Sequence, residues 1–294
     1  MSSTNNLPVL TRFFSASVIR QLATKGKSPL LARLAKQSSL EQLLGEDAVI
    51  ADLFDTAFDK LKISGNRDEY VYRSALVHKI LLGKHSLNTA SILNEVRAGA
   101  CKADVVILNG TSTVYEIKSE RDSLARLENQ IRSYRKVFAS TNVIMSESHY
   151  KSVRDLVPED VGLMVLTDRF QISVRREAID SPSRTCPAVM FETLRTSEAI
   201  MILQALGVHV PEVPNIHLRS MLSELICGFE ADTVHHLMVK VLKKTRGQRN
   251  LNSYVKMVPK SLQAGILTSS PSEAARQRIS EAIKTPLSVA MSWG

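Results

Sequence analysis

Three residues within Lys102–Glu120 have the types and spacing to do chemistry together: Asp104, Glu116 and Lys118. The stretch reads KADVVILNGTSTVYEIKSE. An apolar run Val105–Leu108, a Gly-containing turn over Asn109–Ser112 and a second run Thr113–Ile117 make the pattern of a β-hairpin. Strand side chains alternate faces, so Glu116 and Lys118 point one way and Tyr115 and Ile117 the other. Charges inside an apolar hairpin are costly unless they bind something or one another. Paired carboxylates suit a hard divalent cation, because Mg²⁺ takes one or two of them and completes its octahedron with water and substrate phosphate. Such an ion polarises a phosphate and lowers the pKa of a bound water. A lysine beside it can hold that water or neutralise developing charge. Asp104, Glu116 and Lys118 supply these parts; the plainer alternative is that Glu116 and Lys118 form a charged surface face.

Other elements must hold the hairpin. Upstream, Arg67–Leu82 has helical periodicity with Glu69, Tyr72, Leu76 and Ile80 on one face. Glu69 either heads this apolar stripe as a functional acid or simply complements the helix dipole. Ser91–Ala98 reads as a strand or as a helix end leading into one. Downstream, Leu124, Leu127, Ile131, Tyr134 and Phe138 recur at helical spacing over Leu124–Phe138, which places Gln130 and Tyr134 one turn apart. Asn142–Met145 then reads as a strand, Tyr150–Leu156 as a helix, Val161–Thr167 as a strand and Phe170–Arg175 as an edge strand. This order predicts an α/β fold, a mixed sheet with helices on both faces.

The flanks read differently. Residues 1–8 look disordered, and 10–60 read as short helices broken near Gly26–Pro29. Gly26-Lys27-Ser28 imitates the end of a phosphate-binding P-loop. Gln21 stands where the first glycine must be, however, and helical sequence precedes it, so this reading fails. A helix-turn-helix over 15–45 fits the pattern but carries little specificity. Residues 176–190 read as a linker, and Ser197–Leu206, Ile216–Phe229, Thr233–Lys244 and 271–284 as helices. The segments expected are thus a basic helical extension (1–66), a core (67–176) and a mostly helical C-terminal region (177–294).

The pattern Asp104-x(11)-Glu116-Ile117-Lys118, between an acid-bearing helix and a Gln-x-x-x-Tyr helix, resembles the PD-(D/E)XK nuclease superfamily. Arg67–Tyr72, Lys102–Asp104 and Tyr115–Glu120 are further similar to an uncharacterised bacterial family of stand-alone nuclease-like proteins. The resemblance implies a restriction-endonuclease-like core, αβββαβ, and a Mg²⁺-dependent nuclease, with Mn²⁺ as an alternative ion. It implies Asp104 and Glu116 as metal ligands, the carbonyl of Ile117 as a third, Glu69 as an additional ligand, and Lys118 beside the attacking water. Gln130 and Tyr134 resemble the Gln-Tyr motif of the exonuclease-like branch. Ala103 stands where the superfamily has proline, a turn preference rather than a ligand.

The chain has 294 residues and a formal net charge of +9, with a pI near 9.5, which favours an anionic partner. Residues 1–40 hold six basic residues (Arg12, Arg20, Lys25, Lys27, Arg33, Lys36) and no acid. A second basic cluster includes Lys243, Lys244 and Arg246, and Arg126 lies on the Gln-Tyr helix; these four are expected to bind nucleic acid alongside Gln130 and Tyr134. DNA is the expected partner and RNA the alternative. A catalytically silent binding module on the same fold is the competing reading, with defence, repair and mobile-element maintenance equally open as roles. Three scattered cysteines make neither a zinc pattern nor a disulfide framework. With no apolar run of about 18 residues, a cytoplasmic, membrane-free protein is expected.

Overall fold

The computed structural model describes residues 6–293. The expected disorder over 1–8 lies, for residues 1–5, outside the described residues. From Leu7 the chain is helical, with Pro8 in the first turn, where a missing N–H has no partner to lose. The chain forms two compact units, each discontinuous in sequence. The first takes the residues up to Ile80, Asp168–Phe170 and those from Asn250; the second takes Leu81–Thr167 and Gln171–Arg249.

The second unit is built on one six-stranded mixed sheet: β1 (Ser91–Ala98), β2 (Cys101–Asn109), β3 (Thr111–Lys118), β4 (Ser140–Met145), β5 (Gly162–Leu166) and β6 (Ile172–Arg176). The strands lie side by side in chain order. β1, β2 and β3 run antiparallel, β3, β4 and β5 parallel, and β6 antiparallel to β5. The expected α/β class with a mixed sheet and packed helices is what forms. The helices Leu127–Tyr134 and Tyr150–Leu156 make the crossovers that parallel strands require. The hairpin turn is tighter than its sequence suggests: Asn109 pairs with Thr111, leaving Gly110 at the apex with φ 76°, a conformation glycine adopts without steric cost.

One face of the sheet is the centre of the core. Val106 and Leu108 of β2, Val114 of β3, Val143 and Met145 of β4, and Leu163 and Val165 of β5 pack with Leu127, Ile131 and Tyr134 of the helix that follows β3. C-terminal helices join the same core through Met190, Ile202, Leu222 and Met238. The helix expected over Leu124–Phe138 is confined to Leu127–Tyr134. Upstream, Asp122 accepts from the backbone and hydroxyl of Ser119, both at 2.7 Å, so it closes the connection after β3 and does not cap the helix. The expected linker at 176–190 runs into a helix, Pro187–Thr193, whose Met190 and Phe191 are buried.

The first unit is helical. Ala16–Lys25 and Pro29–Ser38 are joined by Gly26, at φ 66°, and by Ser28, whose hydroxyl accepts from Leu31 N. The P-loop imitation is thus a helix C-cap followed by an N-cap. Phe14 stacks on Tyr70 with ring centroids 4.5 Å apart, and Phe13, Phe54 and Phe58 complete an aromatic cluster. The helix expected over Arg67–Leu82 is regular only over Glu69–Leu76 and passes into a π-turn at Val77–Leu81. Its apolar stripe is buried as expected, but Glu69 is not carried with it. The Glu69 side chain is 52% exposed and paired with Arg73, four residues on. A surface i,i+4 partner is available to it, whereas burying a lone carboxylate is costly.

A buried hydrogen bond ties the start of β3 to the helix Ala231–Arg246. Ser112 Oγ accepts the Ala139 N–H at 3.2 Å and lies 2.7 Å from His235 Nε2, within hydrogen-bond reach of the buried ring. Burial lowers the His235 pKa below its ordinary value near 6.5. The folded protein therefore resists a protonation that the unfolded chain accepts, and stability falls as pH drops below the unfolded value. Thermal melts at pH 7 and pH 5 should show wild type losing more stability on acidification than His235→Gln; equal losses would exclude this role.

Candidate active site

The charged residues lie at one end of the face that the core covers. Alternation places Asp104 on the side of β2 that carries Val106 and Leu108, and Glu116 and Lys118 on the side of β3 that carries Val114. The β2–β3 pairing is regular from Asn109↔Thr111 to Val105↔Tyr115. Beyond it, Asp104 Oδ2 accepts the Ile117 N–H at 2.8 Å, so a side chain replaces the next ladder bond. The carboxylate of one strand is thereby fixed to the backbone of the other, beside Glu116.

Glu116 and Lys118 are almost entirely excluded from solvent, 1% and 6% exposed. Lys118 Nζ lies 2.8 Å from Glu116 Oε1 and 3.1 Å from Gln130 Oε1. Tyr134 OH lies 2.7 Å from the second Glu116 oxygen, Oε2, and 2.8 Å from the Lys102 carbonyl. A phenol has one proton, and the charged acceptor is the stronger. Burial first, and then the Glu116 carboxylate, push the Tyr134 pKa far above the ordinary tyrosine range, so the hydroxyl remains a donor. Both Glu116 oxygens and two of the three Lys118 hydrogens are therefore engaged, and the four residues form one network: Lys118 bridges Glu116 to Gln130, and Tyr134 takes the far side of Glu116. Gln130 and Tyr134 reach it because they are one helical turn apart on Leu127–Tyr134, whose apolar face packs on β2.

Of the residues singled out in the sequence, Asp104, Glu116, Ile117, Lys118, Gln130 and Tyr134 are brought together in the second unit. Ile117 takes part through its backbone N–H, while its side chain is buried on the opposite face. Glu69 belongs to the first unit and is held by Arg73. The nucleic-acid candidates divide. Arg126 and Lys244 are exposed. Lys243 donates to the Thr89 carbonyl at 2.6 Å. Arg246 is drawn to Glu198, which is 1% exposed, with Nε 2.8 Å from Oε1. That guanidinium is a structural counter-ion rather than an open phosphate contact, because an unpaired buried carboxylate is far more costly than a solvated arginine. One participant was not legible beforehand, the Lys102 carbonyl that receives Tyr134. Glu95, in the left-handed region at φ 54° within β1, pairs with Lys102, one of the two basic partners its place in the sequence offers.

The donor set available to a metal is two carboxylates. Each carboxylate oxygen accepts more than one bond, so Asp104 and Glu116 suit a hard ion that keeps most of its water, as Mg²⁺ does. Among the described residues no group of three His, Cys, Asp or Glu side chains could hold a metal, so this is not a protein cage of the zinc or calcium kind.

Fold and site define a mixed α/β protein with a buried acid–lysine–tyrosine network at one end of its central strands. The family described as bacteriophage P4 protein cII matches residues 63–268, well over half of the chain, and the chain belongs to that family. Protein cII of Enterobacteria phage P4 is 34% identical over 86 residues, which make up 29% of this chain and 33% of that protein. The aligned stretch thus spans about a third of that relative. No solved structure matches the chain. None of these comparisons reaches the PD-(D/E)XK nucleases.

Removing one partner of a buried ion pair strands the other charge, at a cost of about 3–5 kcal/mol. Lys118→Met should lower the unfolding free energy by about that much in urea melts. The double variant Glu116→Gln/Lys118→Met should recover part of the loss, since neither residue then carries a lone charge. A double variant no more stable than the single one would rule out a mutual pair.

Proposed function

We propose that the chain is a divalent-metal-dependent nuclease that hydrolyses DNA phosphodiester bonds, on a restriction-endonuclease-like version of this fold. The observation that carries the reading is the convergence of Asp104, Glu116 and Lys118 from two strands, with Gln130 and Tyr134 locking the lysine and the glutamate. The helix–three strands–helix–strand order around it supports the same reading. Asp104 and Glu116 would hold the ion, with the Ile117 carbonyl as a further candidate ligand. Bound there, Mg²⁺ or Mn²⁺ supplies a polarised phosphate oxygen and a water of lowered pKa. Lys118 carries three ammonium hydrogens. Glu116 and Gln130 orient two of them, and the third is available to an attacking water or a phosphate oxygen. Tyr134 fixes the rotamer of Glu116 and stays protonated while doing so. Membership of a family described by a phage protein supports a mobile-element setting.

A second reading is a silent nucleic-acid- or partner-binding module. It is favoured by the same closure: both Glu116 oxygens are engaged, and Lys118 is almost wholly buried. Purified protein incubated with plasmid, linear duplex, single-stranded DNA and RNA, in Mg²⁺, Mn²⁺ or EDTA, separates the readings. The nuclease reading expects metal-dependent DNA cleavage that Lys118→Ala reduces by at least about a hundredfold, the scale of losing one transition-state donor, with DNA binding retained. Binding without cleavage in either metal supports the silent module, and preferential RNA cleavage makes the protein a ribonuclease.

A further inference from the structure

The first unit carries a free basic surface that the proposed site does not use. Arg12, Arg20, Lys25, Lys27, Arg33 and Lys36 lie on the helices Leu7–Phe13, Ala16–Lys25 and Pro29–Ser38 or on their connection, and all six are exposed. Among the described residues none of them makes an ion pair. Many of the second unit's arginines differ. Arg135 and Arg184 share Asp160, Arg175 holds Glu147, and Arg246 holds Glu198. Residues 1–40 thus present six exposed cations with no acid among them, whereas among the described residues of the second unit Arg126, Lys151 and Lys244 are also exposed and outside ion pairs, the first two interspersed with acids.

Helix geometry sorts them further. Arg33 and Lys36 are one turn apart on the exposed side of Pro29–Ser38, with Gln37 beside them. Arg20 shares the exposed side of Ala16–Lys25 with Ser17 and Thr24. Lys25 and Lys27 flank the Gly26 turn between the two helices. Cations interspersed with hydroxyl and amide groups, on helices locked by side-chain caps, form the chemistry that meets a phosphate backbone. Residues 41–59 of the same unit hold six acids and no lysine or arginine. Among the described residues they make no ion pair with the basic helices, which makes charge-driven self-association the competing use of this surface.

We propose that the helical pair Ala16–Lys25 and Pro29–Ser38 is a sequence-independent docking surface for nucleic-acid phosphates and supplies most of this protein's affinity for its substrate. This deepens the nuclease reading by naming the surface that holds the polymer, and it rests on that reading for the choice of polyanion. The test uses the full chain in EDTA, where cleavage plays no part. Binding of a fluorescently labelled 20-base-pair duplex is measured by anisotropy across a KCl series. Arg20→Gln/Lys27→Gln/Arg33→Gln/Lys36→Gln should weaken binding by at least about tenfold at low salt. It should also lower the magnitude of the slope of log affinity against log salt by about 3.6, since each of the four phosphate contacts contributes close to 0.9. Circular dichroism melts matching wild type confirm that the exposed substitutions leave the fold intact; should they not match, the paired variants Arg20→Gln/Lys27→Gln and Arg33→Gln/Lys36→Gln carry the same comparison. An unchanged slope overturns the proposal. So does a variant that abolishes self-association in low-salt sedimentation while binding the duplex as wild type does. Failure of cleavage in the metal assay leaves this result standing, because the two are read separately.

Discussion

The Glu116–Lys118 pair is buried, and that single fact constrains everything around it. A carboxylate and an ammonium removed from water lose several kcal/mol each in hydration, and their mutual attraction offsets this only when every remaining donor and acceptor is satisfied. Glu116 therefore needs a donor on its far oxygen, which Tyr134 provides, and Lys118 needs a second acceptor, which Gln130 provides. Both come from one helix, so that helix must lie over this end of β2 and β3 and not elsewhere. Leu127 and Ile131, on the same helix, fix it there by joining the core that holds Val106 and Val114. The polar network and the apolar core thus specify one helix position twice, by different forces.

The same constraint accounts for Asp104. Where the β2–β3 ladder would continue past Val105↔Tyr115, the aspartate takes the Ile117 N–H instead. A backbone donor inside a sheet must be satisfied, so the carboxylate has a fixed place independent of any ligand. A network made only for stability would gain little from charges, since well-packed apolar residues of similar volume serve as well or better. Two carboxylates and a lysine kept together at such cost fit a chemical role better than a structural one, and this is the physical weight behind the nuclease reading.

Much of this was legible in the sequence, for identifiable reasons. Period-two alternation located β2 and β3, and the faces of Asp104, Glu116 and Lys118 follow from it directly. The apolar repeat through Leu127, Ile131 and Tyr134 located the helix. Its four-residue Gln130–Tyr134 spacing then required both side chains to share a side. Less was legible where a tertiary partner decides. Glu69 sits correctly in a helical first turn, but Arg73 claims it on the surface. The helix bearing Glu69 gives way to a π-turn at Val77 that periodicity does not register. Glu95 adopts positive φ inside a strand, a position no propensity assigns to glutamate.

Basic residues show the limit most clearly. Lys243, Lys244 and Arg246 form as dense a basic run as any in the chain, and in sequence nothing distinguishes them from Arg33 and Lys36. What sets Arg246 apart is a glutamate 48 residues away: Glu198, buried, holds it with the help of Thr245, and Lys243 turns to the Thr89 carbonyl. A cation serves an outside anion only if the fold has not already supplied an inside one. Net charge counts both kinds alike. The count becomes informative only after each arginine and lysine is followed to its partner, which takes Arg246 out of the electropositive surface and leaves the six cations of residues 7–38 in it.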